Sequence, residues 1–117
     1  MPMPKFDELM LPLLQMLQDG KERSNRETID YLSNHFSLSQ EERERLVPSG
    51  QQRLVVNRLG WARTFLKHAE MIEYPRRGYT RIFERGKKYL EQKPASLTVS
   101  DLKTWPEFEK SWKTGEQ

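Results

Sequence analysis

The 117 residues include no cysteine. That excludes a disulfide framework and any thiolate metal site. Only two histidines occur, His35 and His68. They are far apart, and neither has a metal-ligand partner at helical spacing. No Ser-His-Asp arrangement and no glycine-rich phosphate loop is visible. A nuclease site needs a carboxylate cluster beside a lysine, usually on core strands, and the chain has too few strands to build one. The acids at 41, 42 and 44 read as a solvated surface. We therefore expect no cofactor, no metal and no enzyme activity from this chain alone.

Long hydrophobic runs are also missing. None approaches the roughly 18 to 20 residues that span a bilayer. The opening residues, Met1 to Glu8, carry acids where a signal peptide needs a basic and then an apolar stretch. These features point to a cytoplasmic protein with no membrane partner. About a third of the residues are hydrophobic and about a third charged, with mean hydropathy −0.90. That suits a single small domain with a heavily solvated surface.

Acids are scarcest between Gln51 and Leu90. That segment holds ten Lys/Arg against three acids, a net +7, whereas the whole chain is only +3. The remainder is net negative. A positive charge gathered on one segment is aimed at a polyanion, and nucleic acid is the obvious one.

Phe6, Leu9, Met10, Leu13, Leu14 and Leu17 recur at the spacing of one helix face. Pro12 lies within it and predicts a kink or a late start. Asp19-Gly20 ends the helix. Lys21 to Arg23 fits one bridge of a small sheet. Ser24 with Glu27 is a capping box opening a helix to about Phe36, and Ser39 with Glu42 opens a short one to about Leu46. Val47-Pro48-Ser49-Gly50 breaks the chain. A longer helix follows, from about Gln52 to Ala69. Met71 to Tyr74 and Tyr79 to Phe83 read as strands around a Pro75-Arg76-Arg77-Gly78 turn. Glu84 to Gln92 is helical. Lys93 to Ser96 reads as a linker, and Leu102, Trp105, Phe108 and Trp112 share a helical face beyond it. The predicted class is α+β, mostly helical: a winged helix with a small antiparallel β-hairpin wing. We divide the chain into a winged-helix domain at 1–92 and a linker with C-terminal tail at 93–117.

On the helix after Gln52, Val55, Leu59, Ala62, Leu66 and Ala69 form the core stripe. Arg53, Asn57, Gly60, Thr64, Lys67 and His68 lie opposite. Arg reads guanine edges, Asn pairs bidentately with adenine, and Thr contacts a base or the thymine methyl. Gly60 costs about 0.5–1 kcal/mol in a helix interior relative to Ala. Either a phosphate or groove wall, or a neighbouring helix, comes close there. Arg58 and Arg63 flank the stripe and have two options, a phosphate or an internal partner; for Arg58 the internal partner, an acid of the first helix, is preferred. Trp61, at the boundary too, reads as packing in preference to base stacking. Gln51 and Gln52 reach a base or cap the helix, whose N-terminus offers a phosphate site. Arg76 and Arg77 at the turn, with Tyr79 and Arg81 behind them, suit a minor groove or the backbone beside it.

The stretch Asn57-Arg58-Leu59-Gly60-Trp61-Ala62-Arg63-Thr64-Phe65-Leu66-Lys67, followed by Pro75-Arg76-Arg77-Gly78 and Glu84-Arg85-Gly86, resembles the N-terminal domain of Mrr-type restriction endonucleases. Glu8 to Leu14 and Val47 to Gly50 fit it as well. The resemblance runs from about Phe6 to Leu90. It implies a winged-helix domain that binds double-stranded DNA and is attached to a nuclease domain in the full-length protein, in enzymes that cut methylated or otherwise foreign DNA. Catalytic residues of such enzymes lie in that other domain, so none transfers here. A competing reading is a protein-interaction module or homo-oligomer, docking through Trp105, Phe108 and Trp112.

Overall fold

A computed structural model describes the backbone of residues 3–115 and the side chains up to Ser111. Helix α1 (Phe6–Met16) continues through Pro12 and closes in a 3-10 turn, Leu17–Asp19, capped by Gly20. Its start is closed by Glu8, whose carboxylate accepts from the Lys5 N–H at 3.0 Å. A short strand β1 (Arg23–Ser24) leads into α2 (Asn25–His35), and α3 (Gln40–Glu44) follows. Both expected capping boxes are present: the Ser24 and Ser39 hydroxyls accept from the N–H groups of Glu27 and Glu42, whose carboxylates accept in return. Being held this way keeps both carboxylates ionised below their usual range.

The fourth helix, α4 (Leu54–His68), is the longest. Strands β2 (Ile72–Glu73) and β3 (Tyr79–Ile82) come next, then α5 (Glu84–Glu91). The sheet is antiparallel in the order β1-β3-β2, with Arg23 opposite Thr80 and Glu73 opposite Arg81. The expected bridge at Lys21 to Arg23 is thus a two-residue edge strand, Arg23–Ser24, which shares only Arg23 with that stretch. On β3, Thr80 and Ile82 point inward while Tyr79 and Arg81 remain partly exposed, which is the alternation a half-buried strand requires.

The stripe of α1 is buried throughout except at its first member. Leu9, Met10, Leu13, Leu14 and Leu17 retain at most 1% exposure, whereas Phe6 lies at the edge, its ring 4.9 Å from that of Phe65. They meet Leu32 of α2, Leu59, Ala62 and Leu66 of α4, and Met71, Ile72 and Ile82 around the sheet. Gly86 sits where α5 crosses this layer. A Cβ there would come within 2.4 Å of the Met71 carbonyl, so only glycine lets the two backbones approach. A smaller cluster of Met3, Leu38 and Val55 closes the N-terminal end of the α4 core stripe.

Beyond α5 the chain returns to the same core. Two short helices, α6 (Val99–Leu102) and α7 (Pro106–Gly115), follow the 93–96 stretch. Leu97, Leu102 and Phe108 are buried in the main cluster. Phe108 stacks on Phe65 of α4, and Trp105 meets Tyr89 edge-on and lies under the Arg85 guanidinium. This corrects the expectation of exposed tail aromatics at Trp105 and Phe108. The Trp112 side chain lies outside the described residues.

Candidate nucleic-acid interface

Helix α4 carries the outer face expected of it, with changes in detail. Arg53 and Lys67 are exposed and make no ion pair among the described residues. A Cβ added at Gly60 would meet no atom within 4 Å. A neighbouring helix is thus not what calls for glycine there, and the face is open. Thr64 donates its hydroxyl to the Gly60 carbonyl at 2.9 Å, which leaves its methyl and its oxygen lone pairs to meet a partner. Asn57 donates to the Gln52 side chain at 3.1 Å. His68 is drawn away from this face: its Nδ1 is 2.8 Å from the Ser111 hydroxyl of α7. Burial, with Lys67 beside it, holds the imidazole below its usual pKa. The open face therefore ends at Lys67, one residue before the helix does.

The loop before α4 is more constrained than its polar composition suggests. Leu46 and Arg53 form an antiparallel bridge, the Val47 N–H donates to Gln52 O, and the Leu54 N–H donates to Arg45 O at 2.7 Å. Gln51 is exposed at its tip. Since the Leu54 N–H is already used, the N-terminus of α4 offers fewer free donors than an uncapped helix. Gln52 is engaged by Asn57 and does not cap the backbone.

The arginines beside the core stripe divide by role. Arg58 donates to the carbonyls of Met3 and Pro4, at 3.0 and 2.7 Å, and pins the N-terminal segment across α4. Its partner is internal, as expected, but is backbone rather than an acid of α1. Arg63 donates from Nη1 to the Asn25 side-chain oxygen at the start of α2. Its Nε is sequestered with no acceptor, and burial lowers the guanidinium pKa. Arg85, counted in the basic segment, is structural. It donates to the Ala69 carbonyl at 2.9 Å and pairs with Glu107 of α7 at 3.2 Å. Trp61 is not packed away: 49% of it is exposed.

At the 74–78 turn, Gly78 takes φ +82°, a left-handed conformation that glycine adopts without strain. Its carbonyl accepts from the Asn25 N–H at 3.0 Å, so the turn is fastened to the start of α2. Arg76 pairs with Glu22 at 2.8 Å, and its guanidinium lies 3.7 Å above the Tyr79 ring. Arg77 is exposed with no ion pair among the described residues. Arg81 donates to Glu73 across the β2–β3 pair at 2.8 Å.

One hollow joins these parts. It has a volume of about 430 Å³ and is bounded by Asn25, Arg63, Tyr74, Arg77 and Tyr79, with Arg76 along one edge. Arg63 of α4 and the turn thus line one basic concavity, whereas Arg53, Asn57, Gly60, Thr64 and Lys67 lie outside it. Charge-assisted donors on such a surface suit anionic oxygen acceptors. Sequence reasoning missed Asn25, Tyr74 and Glu22. The aromatic-basic alternation of Tyr74-Pro75-Arg76-Arg77-Gly78-Tyr79 is the signal that points to Tyr74; nothing local marks Asn25 or Glu22. Among the described residues no cluster of three metal-ligating side chains forms, and no helix is long and apolar enough to cross a membrane.

The family model described as the Mrr N-terminal domain matches residues 6–92. No curated protein matches the chain, and no solved structure does.

Proposed function

Since the chain belongs to the Mrr N-terminal domain family, we propose that it binds double-stranded DNA as the recognition domain of an Mrr-type restriction endonuclease, whose cutting is done by a separate nuclease domain. The observation that carries this reading is the shared hollow, in which Arg63 of α4 and Arg76 and Arg77 of the turn line one concavity. The order of helices followed by β2 and β3 supports a winged helix, with α4 as the groove helix and residues 74–78 as the wing. Phosphate contacts from Arg53, Lys67, Arg76 and Arg77 supply most of the affinity, with Arg81 behind them. Asn57, Gly60 and the Thr64 methyl face base edges.

Two substitutions separate stability from binding. Gly60→Ala fills open space in a helix interior and is expected to raise stability by about 0.5–1 kcal/mol. If α4 lies against a groove, the same methyl hinders that approach and duplex affinity falls. Thermal melting and electrophoretic shift on the same preparation check both signs together; a variant that gains stability and keeps full affinity would place DNA elsewhere. Glu22→Gln removes the carboxylate that competes with phosphate for Arg76. We expect a gain in affinity of roughly threefold, comparable to the 0.2–1 kcal/mol of an exposed pair. Unchanged or weaker binding by anisotropy would mean that Arg76 does not reach DNA.

A further inference from the structure

The hollow between α4 and the wing holds more than duplex backbone needs. A phosphate track requires charge and donors, yet two walls of this concavity are tyrosines. Tyr74 remains 46% exposed. Tyr79 has one cation already seated over its ring, the Arg76 guanidinium held by Glu22. Arg77 is unpaired among the described residues, and Arg63 spends only Nη1 on Asn25. The result is an exposed aromatic ring that lines the same hollow as two arginines. Aromatic surface interleaved with cations is the arrangement that takes a base by stacking and its phosphate by charge.

We propose that this hollow receives one nucleotide turned out of its base stack, the base lying on Tyr74 and the phosphate between Arg63 and Arg77. The inference rests on the duplex-binding reading above. Its position agrees with that reading, because Arg63 of α4 and Arg77 of the turn both line it.

The test uses the whole chain and two short duplexes of the same sequence, one fully paired and one with a single central base opposite an abasic site. An unpaired base is cheaper to extrude, so the parent chain should bind the second duplex about tenfold more tightly. Tyr74→Phe should keep that preference and Tyr74→Ala should bring the ratio close to one, with thermal melting confirming that both variants fold. Equal binding of the two duplexes by the parent chain overturns the nucleotide site while leaving duplex binding intact. A Tyr74→Ala variant that retains the full preference, or a Tyr74→Phe variant that loses it, also overturns the site. Failure to bind either duplex overturns the duplex reading itself and the site with it.

Discussion

Replacing both wing arginines, Arg76→Ala with Arg77→Ala, should weaken duplex binding by about tenfold or more at moderate salt. Arg77 is exposed and has no ion pair among the described residues, so a phosphate contact there would break no internal pair. Arg76 must first leave Glu22, which reduces what it contributes. Phosphate contacts carry no sequence information, so the loss should be similar on unrelated duplexes. The dependence of affinity on salt should become shallower by about one unit of slope for each contact removed. Stability should change little, because the exposed Arg76–Glu22 pair is worth at most about 1 kcal/mol. Anisotropy titrations on several duplexes at two salt concentrations measure all of this. An unchanged affinity would mean that the turn is not a contact surface, and a loss confined to one sequence would assign it to base readout.

Phe108→Ala should cost about 3–5 kcal/mol of stability. The side chain is 4% exposed, stacks on Phe65 of α4 and sits beside His68. The stretch beyond residue 92 also contributes Leu97 and Leu102 to the main core. It further contributes Glu107, which accepts from Arg85. Its carboxyl is held below the usual range chiefly by a backbone hydrogen bond. Chemical denaturation of the substituted chain and of a chain ending at residue 92 should show a similar, large loss. If both are as stable as the parent, α6 and α7 ride on the domain without supporting it.

The legible parts of the fold were the local ones. The α1 stripe is a periodic pattern, and the two capping boxes are four-residue signals, so each can be read without knowing what packs where. The alternation in β3 was visible for the same reason. Strand β1 was harder, because two residues carry no period and are defined only by Thr80 and Tyr79 across the sheet. The return of residues 97–108 to the core was obscured by the linker-like composition of Lys93 to Ser96.

The candidate site shows the same division. The outer face of α4 followed from helical geometry, and Arg53, Asn57, Gly60, Thr64 and Lys67 lie on it. What each arginine holds did not follow. Arg76 meets Glu22 from 54 residues away, and Arg58 meets carbonyls that have no side-chain signature. Gly60 was open between two causes, and the empty space above it removes one of them, a neighbouring helix.

The central claim is that the α4 face and the wing together neutralise DNA phosphates. Its most direct measurement is the affinity of the whole chain for a short duplex across a range of salt concentrations. Contacts from Arg53, Lys67, Arg76 and Arg77 predict that the logarithm of affinity falls against the logarithm of salt with a slope of about −4. A slope near zero, or no binding at low salt, would contradict the account.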